Sequence, residues 1–488
     1  WAFQCSSDIN GLGPAVQPAS KGIAIDDDTF QLCAAEIPTV WPNSQDPVLS
    51  IRLYKAWDPK WDPMGMEAAW DNIAYFVQST GAKVLVAAAL SCNEQADNQG
   101  WEWTKGLLQK LPPSQIMGLA IGNEMELLHY KIGPDVPADC IPMVWEQGYL
   151  WRQFTRIVAE FDALGFGNVP VTSVFSGLSL FGDAGLQPSS TQPFYEKPGM
   201  ALVNSFLRNA SSTYGSRYAF TWNFYSYFEP SLTLDAGTTD QCSQALASAN
   251  CWGGGCWVPN RVSLARAKMV ALTGRSDGLL WVGETGWSSP KADSLDKISN
   301  METCALWSSI DTFQNFYRDF LAWDLSNGDG QRGADHSFWF TVHDSSNFGV
   351  TEHLGLISSC GETACKLSSS AGLAVANVSS GTSGAAGSWT PGAADAADSW
   401  TGTAYSAEGT AYSPMGTDYS AASRQVTDGA IYSPQAQAQA PSMRLPSHAA
   451  GRPFPVVAAL AVAGAVGALV AWGYSRLTRP LQPYQPVV

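Results

Sequence analysis

Residues 83–121, KVLVAAALSCNEQADNQGWEWTKGLLQKLPPSQIMGLAI, predict one strand–helix–strand unit. The runs at 83–90 and 116–121 are almost continuously apolar, as is typical of parallel strands with both faces covered, and 100–110 has helical spacing. Similar strand runs occur at 1–5, 49–54, 169–174, 218–223, 278–284 and 337–342, and helical patterns at 65–79, 145–164, 199–209, 261–273 and 302–325. Eight repeats without a Gly-rich phosphate loop after the first strand predict an α/β fold of the (β/α)₈ TIM-barrel type, not an open sheet.

The composition narrows the class of ligand. A formal net charge of −16 argues against nucleic-acid partners and fits a neutral substrate. The chain also holds 20 Trp residues, which either fill the core or line a groove where aromatic faces stack on sugar rings.

The ten cysteines indicate disulfides in an oxidising compartment, because no Cys-x-x-Cys pair accompanies the five His residues. Cys251 with Cys256, and Cys360 with Cys365, are candidate local pairs, although spacing alone does not fix the connectivity. We expect no metal and no cofactor. Because the chain begins at Trp1 without Met or a signal peptide, we expect a processed or truncated start.

Composition divides the chain into four parts. Residues 1–366 resemble a globular domain, and 367–450 form a Ser/Thr/Gly/Ala-rich disordered linker, whose seven-residue Tyr repeat fits a stalk better than a coiled coil. Residues 454–475 include the uncharged run VVAALAVAGAVGALVAWGY and predict a single transmembrane helix, with a buried Ala/Gly-rich helix as the alternative. Residues 476–488 would be a short cytoplasmic tail, which places the catalytic part at the cell surface as a single-pass membrane protein.

Two carboxylates end predicted strands. The fourth strand runs IMGLAIGNEMEL, with Asn123 and Glu124 at its end, and the seventh runs LLWVGETGWSS, with Glu284 at its end. An acidic side chain after an apolar strand is costly without a partner or a role, and such strand ends form the catalytic face of a barrel. Paired carboxylates suit glycoside hydrolysis, in which one donates a proton and the other attacks the anomeric carbon.

The motifs around these residues resemble those of glycoside hydrolase family 17, the β-1,3-glucanase family. They are Gly122-Asn123-Glu124, Glu284-Thr285-Gly286-Trp287-Ser288-Ser289, Asn223-Phe224-Tyr225-Ser226-Tyr227-Phe228 and Arg52-Leu53-Tyr54. Ser226 and Ser288 replace family prolines. After the eighth strand the chain keeps Asp344 and Glu352 but lacks the family's adjacent Glu and nearby Lys, which makes it a distant member.

The resemblance implies a role for each residue. Glu124 would be the acid/base, held protonated, and Glu284 the nucleophile. Asn123 would hold a sugar 2-hydroxyl, while Arg52 and Tyr225 would orient Glu284 and keep it ionised. Further substrate-binding residues would be Tyr54, Asn223, Asp344 and Glu352, with Trp287, Trp222, Tyr227, Phe228 and Trp57 as stacking surfaces.

Several alternatives remain at this stage. The main expectation is a retaining hydrolase of β-glucan, with β-1,3-glucan as the favoured substrate. The same residues would serve a transglycosylase that remodels cell-wall β-glucan. A third alternative is a non-catalytic glucan-binding surface protein. We expect Glu126 to be a solvated residue at a helix start, and Asp26, Asp27 and Asp28 to form another solvated helix start. His343 either touches substrate or is structural.

Overall fold

The structure is a computed structural model that describes residues 15–32, 37–61, 65–131, 139–180, 199–228, 239–292, 304–327, 332–347, 350–360 and 365–368. Eight parallel strands close into a barrel in chain order: β1 Lys21–Ile25, β2 Ser50–Leu53, β3 Lys83–Ala88, β4 Ile116–Asn123, β5 Val171–Ser176, β6 Ala219–Asn223, β7 Leu279–Thr285 and β8 His336–Phe340. The barrel closes where β8 pairs with β1, with Lys21 opposite Ser337. The predicted (β/α)₈ barrel is confirmed.

The helices that alternate with these strands are α1 Asp27–Leu32, α2 Met66–Thr80, α3 Glu94–Lys110, α4 Tyr149–Phe161, α5 Gly199–Tyr214, α6 Thr239–Ala249, α7 Trp257–Thr273 and α8 Ile310–Ala322. Short 3₁₀ turns occupy Pro18–Ser20, Pro59–Trp61, Pro113–Gln115, Met125–Lys131, Gly177–Leu180 and Gly215–Arg217, and π-helical turns occupy Pro142–Glu146 and Asp162–Phe166. After the barrel, β9 Ser345–Asn347 and β10 Val350–Glu352 form an antiparallel pair.

The first barrel strand was predicted in the wrong place. Residues 1–5 lie outside the described residues, whereas β1 is the stretch KGIAI at 21–25. All five of its residues are buried, including Lys21, whose Nζ donates to the backbone carbonyls of Val16 and Trp323. The strand is difficult to recognise in the sequence because it is only five residues long and begins with Lys21. Lysine is usually exposed, so the pattern does not indicate a buried strand.

The barrel interior is filled by a few large rings set against very small residues. A Cβ on Gly118 of β4 would lie 2.9 Å from the Trp281 ring, and one on Gly22 of β1 would lie 2.6 Å from the Phe338 ring. Ala24, Ala87, Ala120 and Ala219 line the same interior. The centre is therefore a close-packed core, and open space for a ligand has to lie at an end of the barrel.

Disulfides join segments that follow neighbouring strands, one of them at Cys242 in α6. Cys92 after β3 pairs with Cys140 after β4, and Cys242 after β6 pairs with Cys304 after β7. The predicted local pair Cys251–Cys256 is confirmed. Cys360 and Cys365 are also disulfide-bonded, and the described part of the chain holds no free thiol. The segments that follow the carboxyl ends of the strands are thus tied together in pairs.

Apart from Leu367 and Ser368, which are buried, the linker predicted at 367–450 lies outside the described residues, as do the membrane helix at 454–475 and the tail at 476–488. Within the described ranges, no helix combines the length and the apolarity that crossing a bilayer requires.

Candidate active site

The polar residues predicted for the site meet at the carboxyl end of the barrel. Arg52 lies in β2, Asn123 ends β4, Asn223 ends β6 and Glu284 lies near the end of β7. Glu124 directly follows β4, and its N–H donates to the carbonyl of Val174 in β5. Loops and strand ends on this face carry the reactive groups in barrels of this type.

Three donors surround the carboxylate of Glu284. The Tyr54 hydroxyl donates to Oε1 at 2.7 Å, the Tyr225 hydroxyl donates to Oε2 at 2.8 Å, and Arg52 Nη1 lies 3.1 Å from Oε1. The Glu284 side chain is only 9% exposed, so water screens these contacts weakly. Hydrogen bonds and a positive charge at this range stabilise the ionised form of a carboxylate.

The hydroxyls of Tyr54 and Tyr225 keep their protons at neutral pH and so remain donors. Burial raises the pKa of Tyr54 and that of Tyr225 well above the ordinary value, and the negative charge of Glu284 raises both further. Glu352 also adds to the shift of the Tyr225 pKa, which places this predicted site residue near the same hydroxyl.

Arg52 connects the strands beneath Glu284. Its guanidinium donates to the carbonyl of Gly283 at 2.7 Å, to Asn123 Oδ1 at 2.7 Å and to Asn223 Oδ1 at 3.2 Å. The residue is 1% exposed and its charge lies 4.4 Å from the centre of the Tyr54 ring. A buried guanidinium with this many acceptors fixes the positions of all of them.

Asn223 links the two carboxylates. Its Nδ2 donates to Glu124 Oε1 at 2.9 Å, while its Oδ1 accepts from Arg52, which contacts Glu284. Glu124 is half-buried, whereas Glu284 is buried. One carboxylate is thus enclosed among donors and the other is more open to water, an asymmetry that suits two different roles in proton and group transfer.

Four of the five predicted stacking residues are buried. Trp222, Tyr227 and Trp287 are 0% exposed and Trp57 is 6% exposed, so the expectation that they stack on sugar rings is wrong for this structure. The Trp287 indole donates to the carbonyl of Trp307 and packs 5.3 Å from the Tyr227 ring. The fifth residue of the set, Phe228, is half-buried. An aromatic residue in the sequence therefore does not by itself distinguish a ring in the core from an exposed one.

Asp344 is occupied by an ion pair that sequence reasoning missed. Lys366 Nζ lies 2.6 Å from its Oδ1, His353 Nδ1 lies 3.1 Å from its Oδ2, and the Gly355 N–H donates to Oδ1 at 2.9 Å. The side chains of Asp344 and Lys366 are each 8% exposed. Asp344 therefore joins the end of the barrel domain to the segment after β10, and its predicted contact with substrate stays a prediction.

Other acidic residues also differ from their predicted surroundings. Glu126 is 1% exposed and accepts a hydrogen bond from the N–H of Ser176, so it is not a solvated residue. Asp26 does begin a helix, because its Oδ1 accepts from the N–H of Thr29, but burial raises its pKa despite the nearby His343. His343 is 5% exposed, which favours the structural alternative.

The role of Tyr54 was the main omission at the site itself. Residues i and i+2 of a strand point to one face, so Arg52 and Tyr54 reach the same carboxylate. The spacing Arg-x-Tyr at a strand end was the available signal.

Neither a metal centre nor a cavity at the other end of the barrel competes with this site in the described part of the chain. Across the described ranges, no three His, Cys, Asp or Glu side chains are arranged to hold a metal ion. A cavity of about 440 Å³ lies near the start of β6 and β7, lined by residues that include Arg208, Tyr218, Leu272 and Arg275. It carries no carboxylate among its lining residues and lies at the other end of these strands, so we assign the site from the paired glutamates.

Fold and site together define a (β/α)₈ barrel with two linked carboxylates at its carboxyl end. No protein-family model and no curated protein matches the chain. Among solved structures it is similar to the GH53 catalytic domain of Ignisphaera aggregans (16% identity, TM-score 0.40, covering 73% of this chain and 97% of that one). It is also similar to a β-glucosidase from Thermotoga maritima (13% identity, TM-score 0.39, covering 78% of this chain and 96% of that one). A third similar structure is a GH128 endo-β-1,3-glucanase from Amycolatopsis mediterranei (11% identity, TM-score 0.30, covering 67% of this chain and 89% of that one). These neighbours are glycoside hydrolases, but at such TM-scores the functional argument rests on the residues of the site alone.

Proposed function

We propose that this protein is a retaining glycoside hydrolase that cleaves β-glucan, with β-1,3-glucan as its substrate. The observation that carries the proposal is the buried Glu284 carboxylate with two tyrosine hydroxyls and a guanidinium around it, joined through Asn223 to Glu124. The β-1,3 linkage is supported by the resemblance of four motifs to family 17.

The first step forms a covalent intermediate. An oxygen of Glu284 attacks the anomeric carbon, the bond to the glycosidic oxygen breaks, and Glu124 gives its proton to that oxygen as it leaves. In the second step Glu124, now ionised, takes a proton from water as the water attacks the same carbon. The bond to Glu284 breaks, and both carboxyl groups return to their starting states.

The arginine supports this cycle by holding neighbouring groups. Arg52 donates to Asn123 Oδ1, so the Nδ2 end of that amide is directed away from the guanidinium. Within the described part of the chain Nδ2 has no hydrogen-bond acceptor, and it can therefore donate to a sugar 2-hydroxyl. A contact of this kind strengthens as charge develops on the sugar ring.

The test is release of reducing ends from β-1,3-, β-1,4- and mixed-linkage glucans by the wild-type protein and by Glu284→Gln. We expect release from the β-1,3-glucan, none with the variant, and the β-anomer as the first product by NMR. An α-anomer formed first would refute the retaining mechanism, and no release from any β-glucan by folded protein would refute hydrolysis.

Product length decides between hydrolysis and glycosyl transfer. If laminari-oligosaccharides yield products longer than the substrate, a sugar hydroxyl replaces water as acceptor and the protein is a transglycosylase. If oligosaccharide binding persists while wild type and Glu284→Gln are equally inactive, the barrel is a glucan-binding module.

We also propose that the domain works outside the cytosol, at the cell surface. The disulfides between neighbouring segments support an oxidising compartment. The proposed membrane anchor at 454–475 depends on the sequence pattern, and protease release of an active domain from intact cells would test it.

A further inference from the structure

Glu126 is a buried carboxylate that the proposed mechanism does not use. It lies two residues after Glu124, in the 3₁₀ turn Met125–Lys131, and is 1% exposed. Its Oε1 accepts a hydrogen bond from the N–H of Ser176, the last residue of β5, at 2.5 Å. Burying a carboxylate costs desolvation free energy, which its hydrogen bonds must offset. The bond from the Ser176 N–H is one of these, and it joins the turn to β5.

That turn holds Glu124 in an unusual backbone conformation. Its φ is +50°, in the left-handed region that residues with a Cβ rarely adopt. Such a conformation persists only where the surroundings determine it, and relaxation would swing the side chain away from its present direction. The carboxyl of Glu124 would then lose the Nδ2 of Asn223 as its donor.

Two contacts tie the turn to β5, one at Glu124 and one beyond it. The Glu124 N–H donates to the carbonyl of Val174 at 2.8 Å, and Glu126 accepts from Ser176 two residues further along the same strand. The N–H of Leu127 donates back to the Glu124 carbonyl at 2.9 Å, which closes the turn. The side chain of Glu126 is thus the attachment that fixes the far side of the Glu124 turn.

We propose that Glu126 is a positioning residue for the acid/base, acting through the bond to Ser176 that holds Glu124 in its left-handed conformation. This inference rests on the proposed glycosidase function. Loosening the turn misplaces Glu124 while Glu284 and its three donors stay in place. Those four residues belong to β2, to β7 and to the segments that follow β2 and β6. Proton transfer then suffers and nucleophilic attack does not.

The test compares Glu126→Ala with Glu126→Gln, which keeps an acceptor oxygen for the Ser176 N–H. Each is assayed on a laminari-oligosaccharide, whose leaving group needs a proton, and on the 2,4-dinitrophenyl glycoside of the β-1,3-linked disaccharide, whose leaving group needs none. We expect Glu126→Ala to lower kcat/KM about 10²-fold on the oligosaccharide, the loss typical of a misplaced catalytic group. On the aryl glycoside kcat/KM should fall less than about threefold, because no proton donor is required.

Azide provides a second readout for the base step. It attacks the glycosyl-enzyme without needing a base, so sodium azide should restore kcat of Glu126→Ala on the aryl glycoside and give the β-glycosyl azide. Glu126→Gln should keep most of the wild-type activity on both substrates.

The matched control is Asp97→Ala. Asp97 is 4% exposed and accepts from the Ser91 N–H at 2.8 Å and the Tyr149 hydroxyl at 2.6 Å, so its loss also removes a buried carboxylate bound to a backbone N–H. It should lower Tm without any dependence on the leaving group. If Glu126→Ala does not fold, Glu126→Asp takes its place, because the shorter side chain withdraws the carboxylate from Ser176.

The outcomes separate the two proposals. Equal losses on both substrates, no restoration by azide, or a profile like that of Asp97→Ala would overturn the positioning role while leaving the glycosidase intact. Wild-type protein inactive on both substrates would overturn the proposed function instead.

Discussion

Gly283→Ala adds a single methyl group to the residue before the candidate nucleophile Glu284. A Cβ at this position would lie 2.7 Å from Asn223 Oδ1, 2.9 Å from Arg52 Nη1 and 2.9 Å from Thr221 Cγ2, where ordinary contact begins at 3.4 Å. The amide and the guanidinium must therefore move by about 0.5–0.7 Å, the difference between these distances. Both groups link Glu284 to Glu124, so we expect kcat/KM to fall about 10²-fold, or about 2.7 kcal/mol of transition-state stabilisation.

The assay for Gly283→Ala is kcat/KM on a laminari-oligosaccharide together with Tm. The added methyl group should also lower the free energy of unfolding by about 1–3 kcal/mol through overpacking. The control therefore has to add a methyl group at an equally crowded position away from the site. Gly106→Ala does so, because its Cβ would lie 2.7 Å from the Trp70 ring between α3 and α2. If Gly283→Ala stays within twofold of wild type, or Gly106→Ala loses as much activity, the reasoning about this contact is wrong.

Three further predictions concern other contacts. Tyr225→Phe removes a hydroxyl that donates to the candidate nucleophile at 2.8 Å. A hydrogen bond to a charged group contributes about 1.5–3 kcal/mol, so kcat/KM should fall by about 10- to 10²-fold. The control Tyr227→Phe removes a hydroxyl that contacts Ser308 and should keep near wild-type activity, and equal losses in the two variants would contradict the prediction. Burial lowers the pKa of His336 to about 3, so below pH 6.5 the unfolded chain binds a proton that the folded one does not. The free energy of unfolding, measured with urea, should then fall by about 1.4 kcal/mol for each pH unit between about pH 6.5 and about pH 3. His336→Gln should remove this contribution to the pH dependence of stability. An unchanged pH dependence in the variant would refute the prediction. Lys366→Met removes the ammonium beside the buried Asp344, which keeps its contacts with His353 and the Gly355 N–H, and should destabilise by up to about 3–5 kcal/mol. Adding Asp344→Asn should recover part of that loss, and strictly additive effects would show that the pair is not coupled.

The carboxylates could be located from the sequence because each ends a strand that is apolar throughout. The runs IMGLAIG before Asn123-Glu124 and LLWVG before Glu284 carry no charged residue, so the strand ends are visible in the pattern. Because all strands of a parallel barrel end on the same face, two residues at strand ends are expected at the same end of the barrel. The network that joins them depends on Asn223 and Arg52 meeting in space, which periodicity along one strand does not encode.

Burial was harder to predict than fold. Trp287 and Tyr227 fill the space behind the site, because their neighbours Trp307 and Ser308 come from a distant segment that supplies their hydrogen-bond partners. Glu126 was read as solvated for the same reason, since its partner is a backbone N–H on the next strand. Polar residues are assigned to the surface by default, and only the fold reveals the partner that permits burial.

Closure between the first and last strands governs when this domain can complete its folding during synthesis. β1 has β2 on one side, but its other neighbour is β8, and Lys21 needs the carbonyl of Trp323 as an acceptor. These partners leave the ribosome about three hundred residues after β1. Until then the edge of β1 that pairs with β8 has no partner strand, and an unpaired apolar edge of this kind is open to aggregation.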